Sequence, residues 1–411
     1  MKFLSYKKTI SLTMTKSVAR ILTAPAILVF FAVFQSCSMV NEDLDPCAPP
    51  PKAITNVNFV YDYNMQDEDL FFEHVGSVYL YVFNEDGIYI ERREKHKDDF
   101  KAGDDFSMSF SEEELVPGET YNFVAVAQGN GAGANVSDDY QWYKLVNPMV
   151  LGVSKIEDYI LRLDRDTNND GFSEVGIINY KDQYGQNQQM IDTLWTTKPD
   201  QVQTIMIQKP EYIPSPTPHP DVVTDVQIPM MRITNSITVN LLYPYFDLNT
   251  DPNDYHVVIH FPNGNGTVDF TGGLDNSIHE LYYQSLIKRM AEYKPKNYSS
   301  RGDEDSDIDP NKKYTMKSLF GVSRLMVNDE SSLQLRDATK EGYPIIYELP
   351  NFSEVLAQML NESEWGDQEF LDREYDFTID INLDDKGNVT WVGFSISILS
   401  WGRRIYYYDL T

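Results

Sequence analysis

Nine residues near the C-terminus alternate with strict period two. Tyr375, Phe377, Ile379, Ile381 and Leu383 are apolar, and Asp376, Thr378, Asp380 and Asn382 between them are polar. Period two places one set on each face of a β-strand; on a helix the same residues would spread around the whole circumference. Asp384-Asp385-Lys386-Gly387 supplies a turn, and Val392, Phe394, Ile396 and Ile398 alternate on the return. A hairpin with one apolar face must bury it against a second layer. The final strand, Arg404–Asp409, breaks the rule. Ile405, Tyr406, Tyr407 and Tyr408 are apolar on both faces, as expected of a strand covered on both sides or engaged with a partner.

The same signal recurs upstream. Val57, Phe59 and Tyr61 alternate within Ile54–Asp62, and Val75–Phe83 is apolar on both faces. Asn84-Glu85-Asp86-Gly87 turns the chain into Ile88–Arg92, and Pro117-Gly118 turns it into Tyr121–Ala127. Further strands are expected at 107–110, 159–163, 175–180 and 202–208. Residues 209–222 (KPEYIPSPTPHPDV) hold five prolines and no hydrophobic period, the pattern of a linker. A second series begins with Val226–Leu242 and Tyr255–Phe261. Residues 294–313 are polar and read as a long loop. A lone helix is expected over Phe352–Leu360, with Asn351 as N-cap and Glu354 three residues on. With 13% aromatics, 27 Tyr, 22 Gly and 21 Pro, the composition favours strands and turns. The expected fold is all-β: two tandem β-sandwiches, residues 54–208 and 223–411, joined by the 209–222 linker.

The N-terminus constrains location. Lys2, Lys7, Lys8, Lys16 and Arg20 precede a fourteen-residue apolar run, 21–34, and no acidic residue occurs before Glu42. A basic n-region, a short apolar h-region and small residues at a cut site make a secretory signal. The run is too short for a spanning helix, which needs about 20 apolar residues. Cleavage between Ser36 and Cys37 would leave Cys37 as an acylated N-terminus, as in a bacterial lipoprotein, although Phe34 stands three residues before the cysteine where Leu is usual. Residues 1–36 are thus read as a signal peptide and 37–53 as an acidic, proline-rich tether that lifts the first sandwich off the membrane. Removing residues 1–36, with five basic and no acidic side chains, takes the formal charge from −29 to −34. Such a surface repels nucleic acid and anionic headgroups, so membrane attachment falls to the lipid. Cys47, the only other cysteine, has no partner within the chain.

Constellations that carry chemistry are sparse. Asp166, Asn168 and Asp170, followed by Gly171, have the spacing of an oxygen-rich calcium loop. The closing bidentate Glu is replaced by Ile177, and an acidic turn in an acidic chain is the favoured reading. Asp247, Asn249 and Asp251 repeat part of the pattern. His256 and His260 share one face of a strand, with no third ligand in view. No HExxH, GxSxG or phosphate loop occurs. Arg301-Gly302-Asp303 lies in a charged loop and reads as chance. Exposed aromatics could stack on sugars, but sheet packing already explains them. Neither a catalytic set nor a cofactor is indicated.

Several segments, in order, resemble the fimbrillin-A-associated anchor proteins, surface lipoproteins of Gram-negative anaerobes. They are EDLDPC after the lipidated cysteine, FVYDYNMQDEDLF, VYLYVFNEDGIYI, LVPGETYNFVAVAQG, PMMRITNSITVNL with Arg232 and Asn235, QEFLDREYDFTIDINLDD, and the ISILSWGRR ending. About 130–225 and 262–345 match poorly. The resemblance implies transthyretin-like sandwiches and a non-enzymatic, lipid-anchored role at the outer-membrane surface, holding a fimbria through its first stalk subunit. It also implies that stalk subunits lose their first strand to an arginine-specific protease and accept a neighbour's strand instead. This chain has no Arg between Cys37 and Glu91, the first being Arg92, so its first strand is retained. The terminal strand, Ile405–Tyr408, is then the expected contact with the stalk subunit by strand pairing. A carbohydrate-binding or adhesive surface lipoprotein, or a tip or accessory fimbrial subunit, is the alternative.

Overall fold

The computed structural model describes residues 49–101, 103–129, 143–163, 177–178, 193–199, 201–211, 217–274, 280–285, 287–293, 314–361, 363–396 and 405–409. Residues 52–210 and 222–411 form one body, interrupted by the proline-rich segment, and all its regular sheets lie within it. The fold is all-β, with three short α-helices and three single-turn 3-10 helices among the described residues.

Eight strands form the largest sheet: β1 (Ala53–Val60), β2 (Val75–Asn84), β3 (Tyr89–His96), β4 (Met108–Ser111), β5 (Thr120–Gly129), β9 (Leu194–Thr197), β10 (Gln203–Met206) and β11 (Val222–Arg232). Their order is β3-β2-β5-β9-β11-β1-β4, with β10 also on β5. A six-stranded sheet runs β16 (Ile287–Glu292), β17 (Tyr314–Ser323), β12 (Thr234–Leu242), β20 (Asp376–Leu383), β21 (Val389–Ile396), β22 (Ile405–Asp409). A five-stranded sheet runs β19 (Ile345–Pro350), β18 (Ser332–Asp337), β13 (Tyr255–Phe261), β15 (Leu281–Gln284), β8 (Ile177–Ile178). A small sheet joins β14 (Thr267–Asp269), β7 (Ile160–Leu163) and β6 (Tyr143–Leu145). The helices are α1 (Phe71–His74), α2 (Phe352–Leu360) and α3 (Asp367–Arg373).

The two apolar faces of β2 explain the layering. Val78, Leu80 and Val82 enter one buried cluster with Val57 and Phe59 of β1, Met108 and Phe110 of β4, and Phe123 of β5. Tyr79, Tyr81 and Phe83 enter a second cluster, which continues through Ile237, Val239 and Leu241 of β12 to Ile379 and Ile381 of β20. Each such side chain contributes about 1.5–3 kcal/mol by leaving water. The N-terminal and C-terminal halves therefore share one core.

The segment Val226–Leu242, where a second strand series is expected to begin, holds parts of two strands in different sheets. β11 lies between β9 and β1, parallel to β1 from Ala53↔Val222 to Val60↔Pro229, whereas β12 lies between β17 and β20. Residues 223–232, read from sequence as part of the C-terminal half, thus complete the first sheet. The chain crosses at Ile233, whose N–H bonds Leu194 O at 2.8 Å. The signal is a change of phase: the even-numbered Val226, Ile228 and Met230 enter the first cluster, and the odd-numbered Met231, Ile233, Ile237, Val239 and Leu241 enter the second. A one-residue phase shift cannot occur within a regular strand.

Helix α2 spans the expected residues, but its start differs in mechanism. Asn351 is left-handed (φ 50, ψ 44) and its side chain makes no capping bond. The free N–H groups are met by Ser331 instead: Phe352 N donates to Ser331 O at 2.8 Å and Ser353 N to Ser331 Oγ at 3.1 Å. α2 is also not alone, since α3 follows it. The strands β14 to β19 and the four buried residues of β9 were not anticipated from sequence.

Candidate partner-docking edge

The alternation at 375–383 builds an interior strand. β20 is parallel to β12 and antiparallel to β21; Ile379 stands beside Val239 and opposite Phe394, and all three are fully buried. The hairpin turn is held by Asp384: its N–H donates to Asn388 O at 2.8 Å, and its Oδ1 accepts from Asn388 N at 2.8 Å. Gly387 supplies the left-handed residue (φ 83) such a turn needs. Asp380, on the other face, accepts from Asn240 Nδ2 at 2.7 Å.

β22 ends the sheet. It pairs antiparallel with β21 from Trp391↔Asp409 to Ser395↔Ile405, and no described strand pairs its other side. Its sequence, Ile-Tyr-Tyr-Tyr-Asp, carries one charge. The opposite edge, β16, carries Lys288, Arg289 and Glu292, and β3 at the end of the first sheet carries Glu91, Arg92, Arg93, Glu94 and Lys95. Charged side chains on an edge strand discourage pairing with another chain. The sheet therefore has one guarded edge and one that is chemically suited to accept a strand.

Buried polar groups fix the base of this hairpin to the rest of the body. Glu374 Oε1 accepts the N–H groups of Tyr375 and Asp376, both at 2.9 Å. Burial pushes the Glu374 carboxyl up to about 7, against the lowering effect of those two bonds and of Arg232. The Arg232 guanidinium lies 3.9 Å over the Tyr375 ring and donates Nε to Thr234 O at 2.9 Å. Arg324 and Asp372 form a buried fork, Nε–Oδ1 and Nη2–Oδ2 both 2.7 Å. Arg373 reaches residues more than 300 positions away: Nη1 donates to Asn64 O at 3.0 Å and to Asp67 Oδ1 at 2.6 Å, and the guanidinium lies 4.4 Å over Tyr63. α3 thereby locks the segment after β1 to the start of β20. Asp372, Arg373 and Glu374 were met in the sequence only as letters of a longer motif. Their signal is a charged run placed directly before a buried strand.

The other sequence candidates fall as follows. Ser36 and Cys37, and Asp166, Asn168 and Asp170, lie outside the described residues, as does Arg301-Gly302-Asp303. Ile405, Tyr406, Tyr407 and Tyr408 form the edge strand just described. Asp247 and Asp251 are engaged as turn acceptors, from Asn249 N at 2.7 Å and Asn253 N at 2.9 Å. His256 and His260 share a face of β13. His260 Nε2 is 2.7 Å from Glu280 Oε1 and its ring stacks 4.3 Å from Tyr282. Burial, with Lys288 and Arg336 nearby, pushes His256 down to about 4.

The described residues thus form an all-β body whose six-stranded sheet ends on a strand paired on one side only. Residues 45–407 match the family described as fimbrillin-A associated anchor proteins Mfa1 and Mfa2, and the chain belongs to that family. Three solved structures share the fold. A putative polysaccharide binding protein from Bacteroides thetaiotaomicron has 20% identity over 87% of this chain and 98% of its own, with a TM-score of 0.58. A putative adhesin from the same organism has 19% identity over 84% and 97%, with a TM-score of 0.59. The fimbrial anchor protein Mfa2 from Porphyromonas gingivalis has 16% identity over 84% and 97%, with a TM-score of 0.51. No curated protein matches.

Proposed function

We propose that this protein is an outer-membrane surface lipoprotein, held by acylated Cys37, that anchors a fimbria by pairing the β22 edge with a strand of the first stalk subunit. The observation that carries the reading is the β22 edge itself, in a member of an anchor family. Backbone hydrogen bonds along such an edge give affinity, and pockets for alternate side chains give selectivity. β1 supports the one-ended role. It lies between β11 and β4 and is paired on both sides, so the place a donated strand would take beside β11 is filled by the chain's own first strand, and no Arg precedes it after Cys37. The two halves act as two transthyretin-like sandwiches packed on a shared core, and the protein performs no catalysis. Deleting residues 404–411 tests the reading: fimbriae should detach from cells while the lipoprotein stays folded and surface-exposed. Fimbriae retained at wild-type levels would place the contact elsewhere.

The fold shared with a protein named as polysaccharide binding favours a second reading, a glycan-binding adhesin or a tip or accessory subunit. A glycan array on the full chain separates the two, since an anchor gives no selective sugar binding.

A further inference from the structure

The chain enters the body at Lys52, whose O accepts from Val222 N at 2.8 Å, and this entry lies on one rim of the eight-stranded sheet. β1, β5 and β11 all start there: β1 and β11 are parallel, and β9 is antiparallel to both β11 and β5. β2 runs down to the rim, where Asn84 pairs with Tyr121, and β3 leaves from it. β10 ends there too, with Met206 opposite Thr120 and Gln208 N donating to Thr224 Oγ1 at 3.0 Å. Among the described residues eleven large apolar side chains are exposed, and six of them belong to this rim: Val116, Val150, Leu151, Val153, Met206 and Val223.

Three of the six share one tip. Residues 146–154 (VNPMVLGVS) carry no charge in a chain that is 24% charged. Leu151 is 65% exposed and Val153 69%. Gly152, at φ 72, makes the turn. The tip is pinned to β3 and its hairpin: Gly152 N donates to Tyr89 O, Tyr89 N to Ser154 O and Ile156 N to Gly87 O, all at 2.8 Å. Within the turn Val150 N donates to Ser154 Oγ at 2.9 Å, and Val153 N and Ser154 N to Val150 O at 3.0 and 2.9 Å. Backbone groups already bonded cost little to take out of water. Scattered exposed apolar residues are ordinary, but a charge-free cluster on a pinned turn marks a surface that meets something apolar.

What it meets follows from the entry point. Cys37 lies fifteen residues before Lys52, within about 50 Å of extended chain. A body hung by this rim brings these side chains to the bilayer first. Glu85, Asp86, Glu119 and Glu157 are exposed on the rim, against Lys52 and Lys155, so anionic headgroups are repelled and the match is with a zwitterionic surface and its apolar layer. We propose that Val150, Leu151 and Val153 are a second membrane contact, inserting about 5–10 Å to the headgroup–acyl boundary and seating this rim on the membrane, an inference that rests on the acylated Cys37. The tether is then slack, and the body sits on the bilayer instead of standing off it.

The test uses the full lipoprotein in phosphatidylcholine vesicles, with Cys47→Ser and one environment-sensitive fluorophore on a new cysteine. The label is at Leu151→Cys, on the tip, or at Phe72→Cys, exposed on the opposite rim just before β2 starts beside Gly129. Bromine high on the acyl chains should quench the label at 151, whose emission shifts to the blue, and leave the label at 72 unchanged. If Leu151→Cys fails to fold by circular dichroism, Val153→Cys is read the same way. Protein that floats with the vesicles but is not quenched at the tip overturns the tip contact and leaves the lipid anchor standing. A blue shift without bromine quenching overturns it as well, because a protein surface then covers the tip. Protein that does not float removes the lipid anchor and this contact together.

Discussion

Glu374→Gln isolates the energetic cost of the buried carboxyl under the hairpin. Glu374 is 4% exposed, and its carboxyl is pushed from the ordinary 4.5 to about 7, first by burial. The folded protein therefore holds this proton more tightly than the unfolded chain does. Between about pH 4.5 and 7 the native state binds more protons, so stability from this group is fully present below 4.5 and is lost as pH rises through 7. At about 1.4 kcal/mol per pH unit, the whole window is worth about 3 kcal/mol. Glutamine keeps an oxygen to accept from the N–H groups of Tyr375 and Asp376 and carries no charge to desolvate. His256 runs the other way, because burial pushes it down to about 4 and its contribution grows as pH rises toward 6.5. The wild-type profile is thus a sum, and only the difference between wild type and variant reports Glu374. Urea unfolding from pH 4.5 to 8 should show Glu374→Gln gaining about 3 kcal/mol on wild type across the range. Parallel profiles would refute the reasoning.

Three further outcomes follow from the same geometry. Ile379→Ala removes a fully buried side chain between Val239 and Phe394 and should cost about 2–5 kcal/mol in urea unfolding; a cost below about 1 kcal/mol would mean the hairpin is not core. Gly272→Ala would place a Cβ 2.3 Å from Thr197 O at a φ of +76, so its melting temperature should fall well below that of an alanine at open Gly366, and equal melting would contradict the close approach. Cys37→Ala should abolish metabolic lipid labelling and release the protein from the outer membrane or leave it unprocessed; labelling that persists would assign the lipid elsewhere. Stable attachment should need at least two acyl chains, because one gives only marginal binding.

Legibility in the sequence followed the balance of local and long-range forces. β1, β2, β13, β20 and β21 were readable because each has a strict period or an apolar run bounded by turn residues. The split at Ile233 was written in the phase of the buried positions, but a continuous apolar series masks a phase change unless each face is traced separately. β9 was missed because Leu194–Thr197 is four residues long and buried throughout, so it has no alternation to detect. The N-cap at Asn351 was placed correctly, yet its donors are met by Ser331, a partner twenty residues away. The edge position of β22 was half legible: apolar residues on both faces indicated cover or a partner, but only the topology shows one side paired and the other without a partner strand among the described residues. The charged run at 372–374 is visible before a buried strand, but the partners of Arg373, Asn64 and Asp67, carry no local signal because they lie more than 300 residues away.

The most direct test of the anchoring account places a photo-reactive amino acid in the intact lipoprotein on living, fimbriated cells. At Tyr406 or Tyr407 of β22 it should crosslink to the first stalk subunit, and at Arg289 on the opposite edge, β16, it should not. Crosslinking from Arg289 with none from β22 would contradict the account.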